Sequence, residues 1–181
     1  TPEDNSGSAS LIKLIARYMQ FEAVELMVGR AHEGQSRRGL IYHTQGSGKT
    51  LAMVFAAGQL LQDPVLANPT VVLVPDRGDL VRNAWDQFRT THMPRLLAPA
   101  TAKALQDTLG AADRRGLIFT TVHKFVGAAS DLNTRGNIVV LVDEAHRTQE
   151  GNLGLTMRAA LPNALFFAFT GTPIATLDRN T

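Results

Sequence analysis

The sequence contains no cysteine among its 181 residues, which excludes a disulfide framework, a cysteine-ligated zinc site and a thiol nucleophile. It also lacks an apolar run of the roughly 20 residues that a membrane-spanning helix needs. A targeting signal, an internal repeat and a low-complexity segment are absent as well. We therefore expect a soluble, cytoplasmic protein that has no membrane partner.

An excess of charge of one sign is also missing, because 18 Lys and Arg residues face 16 Asp and Glu residues, for a formal net charge of +2. Net charge therefore gives no argument for nucleic-acid binding. The composition is that of a globular protein, and the length suits a single domain. Residues 1–10 are polar and aperiodic, so we expect a loose end there and one folded domain over 11–181. Since the chain begins at Thr1, we expect it to be part of a longer polypeptide.

Short apolar runs alternate with stretches of helical length. The runs suit strands that are buried on both faces of a parallel sheet, and they are Leu40–Tyr42, Val71–Val74, Leu117–Phe119, Ile138–Val142 and Leu165–Phe169. A buried helix is the alternative for any single run. Helical spacing begins at Leu11, and further helices are predicted at Lys49–Gln62, Asp79–Thr90, Lys103–Leu109 and Leu153–Leu161. The alternation predicts an α/β fold with a mostly parallel central sheet.

The first predicted strand leads into His-Thr-Gln-Gly-Ser-Gly-Lys-Thr at His43–Thr50, and a helix follows at once. This is the context of a phosphate-binding loop, in which glycines let backbone N–H groups face the phosphates. Lys49 is expected to reach the β- and γ-phosphates, and the Thr50 hydroxyl to bind Mg²⁺. The residues predicted to hold the nucleotide are Thr44, Gln45, Gly46, Ser47, Gly48, Lys49 and Thr50. His43 stands where the common pattern has glycine, and a chance match in an ordinary loop is the alternative.

Two adjacent carboxylates, Asp143 and Glu144, follow the apolar run Ile138–Val142. Open α/β sheets bind ligands at the carboxyl ends of their strands. Asp143 is therefore predicted to hold Mg²⁺ and Glu144 to orient and deprotonate the attacking water. The alternative is a helix N-terminus with solvated charges. His146 is a candidate for coupling the nucleotide site to motion, although a single histidine is more often structural.

The order of these segments resembles that of superfamily 2 helicases and translocases. The matching segments are Arg17–Gln20 (glutamine motif), His43–Thr50 (motif I), Val71–Leu80 (motif Ia), Ile118–Phe125 (motif Ib), Asp143–His146 (motif II, the DEAH box) and Thr170–Pro173 (motif III). The motif I sequence, Asp-Glu-Ala-His-Arg-Thr-Gln and Phe-Thr-Gly-Thr-Pro-Ile are similar to the motor (R) subunit of type I restriction enzymes.

The resemblance implies the first RecA-like P-loop NTPase domain of such a subunit, with three layers around its sheet. It implies ATP and Mg²⁺ as ligands, and ATP hydrolysis that drives translocation of double-stranded DNA. Cleavage would be made by a separate nuclease domain, and the partners would be methyltransferase and specificity subunits. The nuclease domain is expected outside this chain, because none of the four lysines follows an acidic residue at the Glu-x-Lys spacing of such nucleases. The second RecA-like domain, with its arginine finger, is expected outside it as well, because the chain stops just past motif III.

The resemblance also implies roles for individual residues. Gln20 would contact the adenine edge and Tyr18 would stack near the ring, with Met19 where the family has proline. Thr170 and Thr172, with His146, would couple the nucleotide state to the DNA path. Thr120, Thr121 and Lys124 would contact the DNA backbone, and an ordinary surface role is the alternative for these three residues.

Two other functions remain open at this stage. One is the first RecA-like domain of a different superfamily 2 helicase that acts on DNA or RNA. The other is a nucleotide-dependent binding module without turnover, which the presence of Lys49 and Glu144 argues against.

Overall fold

A computed structural model of the chain describes residues 15–34, 36–44, 46–75, 96–143 and 152–171. The expected loose end at 1–10, the residues at which helical spacing begins, and the predicted helix Asp79–Thr90 lie outside the described residues.

The core is a six-stranded sheet in which every described pair of neighbouring strands is parallel. The strands are β1 (Arg38–Tyr42), β2 (Thr70–Val74), β3 (Leu96–Leu97), β4 (Gly116–Phe119), β5 (Ile138–Val142) and β6 (Leu165–Thr170). Their order across the sheet is β1-β6-β5-β2-β4-β3. The predicted α/β fold with a mostly parallel sheet is confirmed.

Helices cover both faces of this sheet. They are α1 (Tyr18–Glu33), α2 (Lys49–Gln62), α3 (Ala102–Gly110) and α4 (Asn152–Ala160), with a 3₁₀ helix at Val122–Phe125. Strand β2 shows the division, because Val71 and Leu73 pack in one hydrophobic cluster while Val72 and Val74 pack in another. The first cluster contains side chains of α1 and α2, and the second contains those of α3, α4 and the 3₁₀ helix. The result is three layers with two cores.

Strand β1 differs from its prediction. All residues of β2, β4 and β5 are buried, as the continuous apolar runs predict. In β1, however, Leu40 is 54% exposed and Tyr42 is 49% exposed, so this strand is not buried on both faces. The reason is its position, because among the described strands β1 pairs only with β6.

Helix α1 begins later than the apolar spacing predicts. Ile15 precedes the helix and is 71% exposed, and the helix starts at Tyr18. The Gln20 side-chain oxygen accepts a hydrogen bond from the Arg17 backbone N–H at 2.9 Å, which caps the first turn. Arginine is not a usual N-cap residue, so this start has no clear signal in the sequence. The two-residue strand β3 and the 3₁₀ helix were not predicted either.

No helix in the described ranges is long and apolar enough to cross a membrane.

Candidate nucleotide site

The topology brings two of the predicted site segments to one edge of the sheet. Strands β1, β6 and β5 are neighbours and run in parallel, so their carboxyl ends lie at the same edge. The phosphate loop follows β1, and Asp143 follows β5. Between them, Thr170 ends β6, and its backbone oxygen accepts a hydrogen bond from the His43 N–H at 3.0 Å. Asp143 is in turn linked to the neighbouring strand, since its N–H donates to the Val74 oxygen at 2.9 Å.

The loop backbone has the conformation that its glycines permit. Gly46 and Gly48 have φ angles of 78° and 83°, which side chains with a Cβ rarely adopt. The Ser47 N–H donates to the Thr44 oxygen at 3.2 Å, which closes a tight turn. Gly48 is the N-cap of α2, and Ala52 makes a helical bond to its oxygen. The first turn of a helix leaves N–H groups without a partner inside the helix, and here that turn opens beside the loop.

The predicted ligand residues lie at this edge with different degrees of burial. Lys49 and Thr50 are the first two residues of α2 and are half-buried, whereas Thr44 is exposed. Asp143 is only 4% exposed, and Thr170 is 1% exposed. No group of three His, Cys, Asp or Glu side chains able to hold a metal occurs within the described residues. The oxygens of Thr50 and Asp143 are the kind of ligand that suits Mg²⁺, which takes few protein ligands and completes its shell with phosphate oxygens and water.

Gln20 lies against the phosphate loop. Its side chain is 2% exposed, and its Nε2 donates to the backbone oxygens of Ser47 and Gly48, at 3.0 and 3.2 Å. Tyr18, two residues earlier, is 76% exposed at the start of α1. The adenine contacts of both residues stay predictions, while the contact of Gln20 with the loop is a finding that the sequence did not predict.

The side chain of His43, which stands where the common loop motif has glycine, is buried against the loop, and the sequence did not predict this. The side chain is 3% exposed, and its Nδ1 lies 3.5 Å from the Ser47 hydroxyl. The imidazole therefore lies beneath the loop rather than in solvent. His43 also lines a cleft of about 470 Å³ between α1 and β1, with Met19 and Leu40 among the other lining residues.

Helices α1 and α2 are also joined at their C-terminal ends by a contact between the exposed His32 and the buried Asp63. The His32 Nε2 lies 2.6 Å from an Asp63 carboxylate oxygen, and the other oxygen accepts from the Val65 N–H at 2.8 Å. Burial alone would raise the pKa of the Asp63 carboxyl, but the hydrogen bonds and the charge of His32 outweigh burial and lower this pKa below its ordinary value. The two helices thus run side by side, with Gln20 at one end and His32 at the other.

The three residues predicted to contact DNA follow β4. Thr120 is 2% exposed, and its N–H donates to the Leu73 oxygen at 3.0 Å. Thr121 is half-buried at the start of the 3₁₀ helix. The Lys124 Nζ donates to the Pro99 oxygen at 2.6 Å. Burial of Thr120 leaves little of its side chain for a DNA backbone, and the DNA contacts of all three residues stay predictions.

Four predicted site residues lie outside the described part of the chain. They are Gln45 of the loop, Glu144 and His146 of the acidic segment, and Thr172 of motif III.

Solved structures share this fold. The superposition on a SWI2/SNF2 ATPase core from Sulfolobus solfataricus, solved in complex with double-stranded DNA, has a TM-score of 0.62 at 17% identity and covers 92% of this chain and 34% of that one. The UvsW helicase of bacteriophage T4 superposes with a TM-score of 0.63 at 15% identity, covering 88% of this chain and 54% of that one. At these identities the likeness establishes the fold alone, which is the RecA-like α/β fold expected from the sequence.

Relatives in sequence are subunits of restriction enzymes. The chain is 39% identical over 198 residues to the type I restriction enzyme HindI endonuclease subunit of Haemophilus influenzae, which covers 94% of this chain and 18% of that protein. It is 32% identical to the SsaAORF53P endonuclease subunit of Staphylococcus saprophyticus, covering 90% of this chain and 19% of that protein. The chain therefore spans about a fifth of the length of these relatives.

The family model of the SWI2/SNF2 ATPases matches residues 19–181. This match includes the phosphate loop, Gln20 and Asp143, which the geometry brings together at one edge of the sheet. Since the match spans most of the chain, the chain belongs to the SWI2/SNF2 ATPase family.

Proposed function

We propose that the chain is the ATP-binding motor domain of a type I restriction enzyme endonuclease subunit. In this proposal ATP hydrolysis drives translocation of double-stranded DNA in the cytoplasm, and a separate domain cuts the DNA. The observation that carries the proposal is a glycine-rich loop between β1 and α2 at the same sheet edge as Asp143. The 39% identity to the HindI endonuclease subunit supports the assignment to restriction rather than to another superfamily 2 helicase.

The residues at this edge fit a magnesium nucleotide. The positive φ angles of Gly46 and Gly48 allow the loop to curve closely around an anion, and a Cβ placed at Gly46 would meet no atom within 4 Å. Lys49 would neutralise phosphate charge at the start of α2. The Thr50 hydroxyl and the Asp143 carboxylate would hold Mg²⁺, which offsets charge on the phosphate oxygens when it is bound.

Turnover would require a base for the attacking water, and we assign this role to Glu144, one residue beyond Asp143. In this role the Glu144 carboxylate would orient the water for phosphoryl transfer and accept its proton. Thr170, Thr172 and His146 are proposed to couple the nucleotide state to movement. Gln45, Thr44 and Ser47 would complete the loop.

The DNA and protein partners are part of the same proposal. One structural neighbour was solved with double-stranded DNA, and the relatives are named as subunits of type I restriction enzymes. We therefore propose that the motor moves along double-stranded DNA. Thr121 and Lys124 would lie near the DNA backbone, and the buried Thr120 would support them. Methyltransferase and specificity subunits are the proposed partners of the whole protein.

Calorimetric titration of this chain with Mg-ATP tests the nucleotide site. Lys49→Ala should abolish binding, because the loop then loses its fixed cation. Lys103→Ala is a matched control, since Lys103 lies on α3 with a side chain that is 86% exposed. Equal binding by the wild-type and Lys49→Ala proteins would refute the site.

The motor assignment requires a test in the full-length protein. Glu144→Gln should keep the affinity for ATP within a few-fold, while DNA-stimulated turnover and translocation fall by roughly 10² or more. Wild-type turnover by Glu144→Gln would mean that another residue is the base. ATP binding without any DNA-stimulated turnover in the wild-type protein would favour a nucleotide-dependent binding module.

A further inference from the structure

We propose that Gln20 is a positioning residue of the phosphate loop, which it contacts at Ser47 and Gly48. Its side-chain amide holds the loop backbone in the conformation that binds phosphate, and it therefore supports polyphosphate binding whatever base the ligand carries. This inference rests on the proposed function, since it assumes that the loop binds a nucleotide.

The bonding capacity of the amide is largely used within the protein. The oxygen of Gln20 accepts the Arg17 N–H at 2.9 Å. Its nitrogen carries two N–H groups, and it donates to two loop oxygens, those of Ser47 and Gly48. With the side chain 2% exposed, this amide has no further N–H to donate to a base unless it gives up a bond to the loop.

The direction of these bonds sets the direction of the loop N–H groups. In a trans peptide the N–H points opposite to the C=O of the same unit. The Ser47 oxygen shares a peptide unit with the Gly48 N–H, and the Gly48 oxygen shares one with the Lys49 N–H. Gln20 holds the Ser47 oxygen toward α1, and it shares the Gly48 oxygen with the Ala52 N–H of α2. The N–H groups of these two peptide units are therefore directed away from Gln20. A phosphate-binding loop needs such convergent N–H groups.

The contact between the loop and Gln20 is also close. A Cβ placed on Gly48 would lie 2.5 Å from the Gln20 Nε2, which is shorter than real side chains allow. The loop therefore packs directly on the amide, and the glycine at position 48 is needed for this approach as well as for its φ of 83°.

Helix α1 provides a fixed support for the amide. Along its length, the Glu25 carboxylate accepts from the Gln59 side chain of α2 at 3.2 Å, and His32 contacts Asp63 at 2.6 Å. Two contacts between α1 and α2 beyond Gln20 keep the helix in place. A change at Gln20 should therefore release the loop without releasing the helix.

Two variants separate this role from a role in helix capping or in base contact. Gln20→Glu keeps an oxygen that can accept the Arg17 N–H, so the cap of α1 remains, but it removes both donors to the loop. Gln20→Met removes the donors without adding a negative charge near the phosphates. Phe21→Ala is the matched control, because Phe21 is the next residue of α1 and is 54% exposed.

The experiment titrates this chain with magnesium tripolyphosphate, which has no base, and with Mg-ATP. Both Gln20 variants should bind each ligand about tenfold more weakly than the wild type, as expected when two net hydrogen bonds are lost, and Phe21→Ala should bind normally. Without ligand, amide hydrogen exchange at Ser47, whose N–H donates to the Thr44 oxygen, should be faster in both Gln20 variants.

Three outcomes would overturn the inference. Unchanged tripolyphosphate binding with weakened ATP binding would make Gln20 a base-contacting residue. Loss in Gln20→Glu alone would indicate charge repulsion. A wild-type chain that binds neither ligand would overturn the proposed function and this inference with it, whereas the first two outcomes leave the proposed function intact.

Discussion

Strands β5 and β1 both lead into the nucleotide site, but they are held in different ways. Every residue of β5 is buried, and the strand lies between β6 and β2. Strand β1 pairs with β6, and Leu40 and Tyr42 are about half exposed. Asp143 therefore follows a strand that the hydrophobic core holds. The phosphate loop follows a strand with much less burial.

Where β1 has less burial than β5, polar contacts hold the phosphate loop that follows it. The His43 N–H donates to Thr170, the His43 ring lies beneath Ser47, and Gln20 donates to two loop oxygens. Such bonds are directional and each adds only about 1 kcal/mol net, so they fix a conformation more than they stabilise the fold. We conclude that the carboxylate half of the site depends on packing and the loop half on hydrogen bonds.

The largest expected difference between the two strands is tested by replacing one leucine in each. Leu141→Ala in β5 should lower the free energy of unfolding by about 2–5 kcal/mol, because it leaves a cavity around a fully buried side chain. Leu40→Ala in β1 should change it by only about 0.5 kcal/mol, since 54% of Leu40 is already exposed. Urea denaturation of both variants measures the difference. Similar losses in the two variants would mean that β1 is held by packing after all.

Strands β5 and β1 also show how much of the fold the sequence predicts. Bounds of β5 and α2 match the predicted ranges, because a continuous apolar run or a helix between a glycine and a proline is a strong local pattern. Strand β1 has a similar local pattern, yet its burial depends on which strands flank it, and a single run carries no information on its neighbours. The two residues of β3 are too few to form a pattern.

In the candidate site, too, local motifs were predicted, whereas contacts between distant segments were not. Lys49, Thr50 and Asp143 follow from motifs, and the topology brings the loop and Asp143 to one edge of the sheet. The contact between Gln20 and the loop joins residues 27 and 28 positions apart and depends on how α1 packs. The buried place of His43 depends on the same packing. Local sequence does not contain that geometry.

A second comparison concerns two glycines that both have a positive φ angle. Gly48→Ala should cost about 1–2 kcal/mol for a left-handed φ of 83°, and its Cβ would also collide with Gln20. Gly127→Ala meets a similar φ of 70° with no atom within 4 Å of its Cβ. Gly48→Ala should therefore lose at least as much stability as Gly127→Ala, and only Gly48→Ala should lose more than tenfold in affinity for Mg-ATP. Calorimetry and urea denaturation measure the two effects, and normal ATP binding by Gly48→Ala would refute the role of this close contact.

The smallest expected effect is a change in stability with pH that comes from one polar contact, between Asp63 and His32. Asp63 follows the C-terminal end of α2, away from the phosphate loop, and contacts His32 of α1 there. The pKa of its carboxyl is lowered in the folded state. An unfolded aspartate titrates near pH 3.9, so the unfolded chain binds this proton more readily than the folded one. The stabilisation is therefore complete above about pH 5 and is lost as the pH falls through the folded pKa.

Comparing Asp63→Asn with the wild type at several pH values isolates this contribution. At pH 7 the variant should be less stable by about 1 kcal/mol, because it loses a charged hydrogen-bond acceptor buried against His32 and Val65. Toward pH 3 the gap between the two proteins should shrink, since the wild type then loses the same contribution. Asp107→Asn is the control, because Asp107 pairs with Lys103 on the exposed side of α3 and such pairs contribute only a few tenths of a kcal/mol. A gap for Asp63→Asn that stays constant from pH 7 to pH 3 in urea denaturation would show that its carboxylate charge does not stabilise the α1–α2 pair.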